Sequence, residues 1–111
     1  MSDLTALRRQ LKIKSGVAKR LFKEHQTYEK EEVDQKIKLD KFVADGAEAW
    51  DIKNAGLMLE ENKKLVKDVA NRLGAAVQDL RELLVSAKQN PEITQDEEYL
   101  KAEEILESVS V

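Results

Sequence analysis

Phe42-Val43-Ala44-Asp45-Gly46-Ala47-Glu48-Ala49-Trp50 is the stretch on which the fold turns. A long helical repeat runs on either side of it, and within it the repeat stops. Gly46 is suited to the left-handed conformation that ends a helix. Asp45 and Glu48 stand at capping-box spacing, although the box proper begins with Ser or Thr. The stretch reads as a short loop that sends the chain back along itself.

Upstream, from about Asp3 to Val43, steps of three and four pick out Leu4, Leu7, Leu11, Lys14, Ala18, Leu21, His25, Tyr28, Glu32, Gln35, Leu39 and Phe42. This is a heptad seam with polar interruptions. Ile13, Val17, Val33 and Ile37 form a second apolar line, which predicts that this helix touches two neighbours. Downstream, from about Ala49 to Lys88, the same steps give Ile52, Ala55, Leu59, Asn62, Val66, Val69, Leu73, Ala76, Leu80 and Leu83. Gln89-Asn90-Pro91-Glu92 ends that helix, because proline lacks an amide donor and disfavours helix in the residue before it. Thr94-Gln95-Asp96-Glu97 reads as a capping box opening a third helix to about Val109, with Ala102, Ile105, Leu106 and Val109 on one face. The expected architecture is all-α: an elongated antiparallel three-helix bundle, one domain over 1–111, with helices at about 3–43, 49–88 and 95–109.

Laid antiparallel about Gly46, seam positions pair when their numbers sum to about 94. Leu21 then meets Leu73, Leu11 meets Leu83 and Tyr28 meets Val66. Glu32 falls opposite Asn62, so the polar interruptions coincide, and a polar contact in an apolar seam fixes register at some cost in stability. Ala18 falls opposite Ala76, and nearby Gly16, Gly74 and Ala75 suggest a narrow waist where the backbones approach.

Composition supports this reading. Four glycines and one proline in 111 residues are too few for the turns of a β-sandwich or barrel. The absence of cysteine excludes a disulfide framework, a thiolate zinc site and a cysteine nucleophile, and fits a reducing compartment. No apolar run approaches the ~20 residues that span a bilayer. Met1 to Gln10 has no apolar core of a secretory signal, so a soluble intracellular protein is expected. Net charge is −3, unevenly spread. Residues 1–41 hold eleven Lys and Arg against seven Asp and Glu, whereas the last 23 residues hold one lysine against seven acids. A basic start and an acidic end can attract each other within one fold or can each face a partner.

Motifs for covalent chemistry are missing. His25, the single histidine, lies on the seam and reads as a partly buried seam residue, with no nucleophile marked beside it. There is no HExxH, EF-hand loop or P-loop, and the glycines are isolated. Glu97-Glu98 and Glu103-Glu104 read as solvated helix faces. Lys12, Lys14, Lys19, Arg20 and Lys23 form a basic strip, either an ordinary charged surface or an electrostatic landing site for an acidic partner. Overall acidity, and a strip without aromatic side chains for stacking, argue against nucleic acid. Trp50 reads either as a staple at the start of the second helix or as an exposed anchor for a partner.

Three stretches resemble the tubulin-folding cofactor A family. Leu11-Lys12-Ile13-Lys14-Ser15-Gly16-Val17-Ala18-Lys19-Arg20-Leu21-Phe22-Lys23-Glu24, followed by Tyr28-Glu29-Lys30-Glu31, is similar to the family's IKIKTG-VxKRLxKE and YEKE signature. Trp50-Asp51-Ile52-Lys53, leading to Leu59-Glu60-Glu61, is similar to its Tyr-Asp-Leu/Ile-Lys opening of helix two, with tryptophan in place of tyrosine. Glu97-Glu98-Tyr99, with Ala102, Leu106 and Ser108-Val109, resembles its final helix. The likeness covers roughly residues 7–109. It implies a three-helix bundle that holds quasi-native β-tubulin released by the cytosolic chaperonin and passes it on for assembly with α-tubulin. It implies no nucleotide, no other cofactor and no catalysis, with β-tubulin and other tubulin-folding cofactors as partners, neither nucleic acid nor membrane, and a cytoplasmic, cytoskeleton-associated setting. The residues expected to meet the client are Lys12, Lys14, Lys19, Arg20, Lys23, Tyr28, Trp50, Asp51 and Lys53. Family members often carry proline midway along helix two; Lys67 here predicts a straighter helix. The rival reading is a generic helical adaptor, or a coiled-coil homodimer zipped through the first seam instead of a monomer.

Overall fold

The computed structural model describes residues 3–109, so the outer two positions at each end of the expected domain lie outside the described residues. The regular structure is α1 (Asp3–Ala44), α2 (Ala49–Ala87), a 3-10 turn (Ile93–Gln95) and α3 (Glu97–Val109). The fold is all-α, with two long helices and one short one and no strand among the described residues.

The turn after α1 closes as its sequence suggests. Gly46 has φ +68°. Its amide donates to the Val43 carbonyl at 3.3 Å, and the Ala47 amide reaches back to Phe42 at 3.0 Å. This nested pair satisfies the last carbonyls of the helix and needs a left-handed residue between its two bonds. The capping-box reading of Asp45 does not hold. The Asp45 amide bonds back to the Lys41 carbonyl of α1 at 2.9 Å, and the first carbonyl serving α2 is that of Glu48, accepting from Ile52 at 3.1 Å.

The chain divides into two compact units: residues up to Phe22 with those from Arg72 onward, and Lys23–Asn71. In the first, α1 buries Leu11, Ser15, Ala18 and Leu21, α2 buries Ala76, Leu80, Leu84 and Ala87, and α3 buries Tyr99, Ala102 and Val109. Leu11, Leu80 and Ile93 are sealed completely, and burying a leucine contributes roughly 1.5–3 kcal/mol. Ser15, not Lys14, occupies the seam. Its hydroxyl donates to the Lys12 carbonyl at 3.2 Å, so a small polar group is buried already satisfied. The Lys14 ammonium instead extends to Asp79 at 3.7 Å. Of the residues expected at the waist, Ala18 and Ala76 are buried. Gly16, Gly74 and Ala75 are exposed, and a Cβ added at either glycine would meet nothing within 4 Å.

The third helix starts two residues later than its sequence suggested. The Thr94 hydroxyl turns back to the Pro91 carbonyl at 2.9 Å, and the cap is Asp96, whose Oδ1 accepts from the Glu98 amide at 2.9 Å. The 3-10 turn takes up Thr94 and Gln95, the first two residues of the expected capping box.

The second unit holds one stretch each of α1 and α2, joined by the Gly46 turn. Ala55, Leu59, Asn62 and Val69 are buried. Asn62 Nδ2 donates at 2.9 Å to the carbonyl of Tyr28, which confirms the fold-back but corrects the partner. The Glu32 side chain was expected there. The Tyr28 carbonyl belongs to the same helical turn, since its intrahelical partner is the amide of Glu32, and its second lone pair is free for the asparagine. Drawing a carboxylate into the seam costs more than sharing that carbonyl. The second apolar line has no second neighbour here, because Val33 and Ile37 are 58% and 60% exposed. α2 is helical without interruption through Lys67. Among the described residues no helix is long and apolar enough to cross a membrane.

Candidate protein-binding surface

In the first unit, Lys12 and Lys19 are exposed and, seven residues apart, share one side of α1. Lys14 lies on another side, half-buried and turned to Asp79. Arg20 is exposed. Of the basic residues expected as one strip, Lys14 is thus set apart from Lys12 and Lys19 by helical periodicity. Lys19 edges a shallow depression with Lys101, Glu104, Ile105 and Ser108 of α3, where the Glu97 carboxylate holds the Lys101 ammonium above its ordinary pKa.

The basic beginning and acidic end of the chain do meet in this unit. Arg8 Nε and Nη2 both reach Asp96 Oδ2, at 2.8 and 2.7 Å, while Oδ1 caps α3. The Arg8 hydrogen bond, with that of the Glu98 amide, draws the Asp96 carboxyl below the usual range, and Arg8 is raised in turn. One carboxylate thus fastens α1 and starts α3. Burial, and then the Glu103 carboxylate, push the Tyr99 phenol up.

In the second unit, Lys23 is exposed, and Tyr28 is half-buried with its carbonyl bonded to Asn62. Trp50 is 71% exposed, which excludes the staple reading, since a staple would bury the ring. It lines a surface depression with Lys53, Asn54 and Leu57, and Leu57 is itself 57% exposed. Asp51 is half-buried in the first turn of α2, where a carboxylate complements the positive end of the helix. The structure thus brings Trp50 and Lys53 together and adds Leu57. That residue was overlooked because no seam step reaches it. Its separation of seven from Trp50 was the signal.

His25 is half-buried, with Nδ1 3.1 Å from Glu29 Oε1. Among the described residues, no group of three or more His, Asp or Glu side chains is placed to hold a metal ion. The depressions found are open and shallow, and they suit side chains of another protein better than a small substrate.

Comparison with known proteins shows the family. The tubulin binding cofactor A family matches residues 6–106. A curated relative, tubulin-specific chaperone A of Rattus norvegicus, is 42% identical over 103 residues, covering 93% of each chain. The solved structure of human tubulin chaperone cofactor A aligns with TM-score 0.79 at 38% identity, over 95% of this chain and 99% of that one. That of tubulin folding cofactor A from Arabidopsis thaliana aligns with TM-score 0.81 at 29% identity, over 96% and 97%. With the matched region spanning nearly all of its helices, this chain belongs to the tubulin binding cofactor A family.

Proposed function

We propose that this non-catalytic member of a tubulin-chaperone family binds quasi-native β-tubulin released from the cytosolic chaperonin. It then passes the chain on for assembly with α-tubulin, in the cytoplasm and alongside the cytoskeleton, working as a monomer and with other tubulin-folding cofactors. The observation that carries the reading is family membership over residues 6–106. The surface supplies the physical means. Lys12, Lys14, Lys19, Arg20 and Lys23 on α1 attract an acidic client, and charged contacts speed encounter more than they deepen affinity. Tyr28, Trp50, Asp51 and Lys53 supply closer contact, with the exposed Trp50 ring as the anchor. A client that must be released suits a surface of few anchors and many charges.

The test offers purified α/β-tubulin and newly released β-tubulin separately to the chain. Capture of the β chain alone is expected, and capture of neither refutes the function. Charge reversal of Lys19, Arg20 and Lys23 together, with helicity checked by circular dichroism, should slow capture at physiological salt. Undiminished capture removes the basic strip from the contact.

A further inference from the structure

The first unit shows how this molecule covers a pair of its own helices. There α3 lies against both α1 and α2: Arg8 pairs with Asp96 at its start, and Leu84 of α2 shares a depression with Leu106. The helix that does the covering is amphipathic and acidic. It buries Tyr99, Ala102 and Val109 and carries five glutamates against one lysine.

The second unit has two helical stretches and no third. It also holds seven of the ten large apolar side chains left exposed among the described residues, an uneven share for a unit of 49 residues. A groove runs between its helices. Val33 and Ile37 of α1, four residues apart and so stacked along one side, form one wall, and Leu59 of α2, 4% exposed, lies deep in it. Glu32, Lys36 and Lys63 complete the lining, giving it an excess of positive charge. Lys36 pairs with Asp40 at 2.8 Å and Lys63 with Glu60 at 3.5 Å. All four side chains are more than half exposed, so these pairs exchange partners at little cost.

We propose that this groove takes an acidic amphipathic helix of the client, which lies against the second unit's helix pair as α3 lies against the first's. Aliphatic side chains at i, i+3 or i+4 and i+7 would meet Val33, Ile37 and Leu59, with carboxylates beside Lys36 and Lys63. The proposal rests on the reading that the client is β-tubulin. It adds the kind of segment held and the place that holds it.

The chain contains no cysteine, so Ile37→Cys carries a single benzophenone photocrosslinker. Illumination of the complex with β-tubulin, followed by mass spectrometry, is expected to give one crosslinked segment, helical, acidic and amphipathic. A crosslink to a basic or non-helical segment, a crosslink to a second copy of this chain, or none in a complex that has formed, overturns the proposal. Independently, Val33→Ser with Ile37→Ser alters two exposed side chains and should fold. It is expected to speed β-tubulin dissociation at least tenfold, whereas Val85→Ser, 62% exposed in the first unit, leaves the rate unchanged. If the native chain captures no β-tubulin, the function falls and this occupant with it. If the native chain captures it and the double variant releases it no faster, the groove alone is refuted.

Discussion

At the residue scale, two kinds of glycine separate cleanly. Gly46 sits at φ +68°, where a Cβ strains the backbone, so Gly46→Ala should destabilise the protein by about 1 kcal/mol. Gly16 and Gly74 lie inside helices, and an added methyl at either meets open space. Gly16→Ala and Gly74→Ala should each stabilise by about 0.4–1 kcal/mol, since alanine lowers the entropy of the unfolded chain and clashes with nothing. Urea titration of the three variants checks the opposite signs. Destabilisation by Gly74→Ala would mean that a neighbour approaches there after all. The turn glycine was legible in sequence because the heptad pattern stops on both sides of it. The other two were misread because smallness alone does not tell which way a position faces. In α2 the seam runs Val69, Leu73, Ala76, Leu80, and Gly74 is one residue off that line.

At the scale of elements, one carboxylate joins two helices, and its titration can be followed. Asp96 has a lowered pKa, held there first by Arg8 and then by the Glu98 amide. Between its folded value and the unfolded value of about 3.9, the unfolded chain binds the proton more readily. Its stabilising contribution is therefore present above about pH 4 and is lost as pH falls through the folded pKa. Asp96→Asn keeps a capping oxygen and removes the charge, so the variant should be less stable at neutral pH and converge on the native protein in acid. Thermal melts from pH 7 down to pH 2 measure the gap. A gap that stays constant would show that the charge contributes nothing. Asn62 is the seam's counterpart. Asn62→Leu should raise stability, by removing a buried amide, yet weaken the register that its bond to Tyr28 specifies. A higher urea midpoint with broadened amide resonances around Tyr28 is the expected result. That Asn62 makes a polar contact across the seam was legible in sequence. The atom that Asn62 meets was not, because a repeat pattern reports side chains and says nothing of a backbone carbonyl's spare lone pair.

At the scale of the whole molecule, burial and exposure are unequally shared. Among the described residues, twelve of the sixteen buried side chains belong to the unit containing α3, and only Ala55, Leu59, Asn62 and Val69 to the unit spanning Lys23–Asn71. The three helices and the acidic end were legible in sequence, and so were the charged residues of the surface. The uncovered wall of Val33 and Ile37 was not, because an apolar line on a helix looks the same whether its neighbour is present or absent. The imbalance has a dynamic consequence. Local opening costs least where few apolar contacts hold the backbone hydrogen bonds. Native-state hydrogen exchange should therefore show weaker protection across residues 28–69 than at Leu11, Leu80 and Ala102, whose side chains are fully sealed. Binding β-tubulin should raise protection in the weaker unit most, since a client helix laid on two helices supplies the burial that α3 already gives elsewhere. Uniform protection in the free chain would show that the helix pair is stable without a third member. Equal protection gained in both units on binding would place the client's contacts outside the groove.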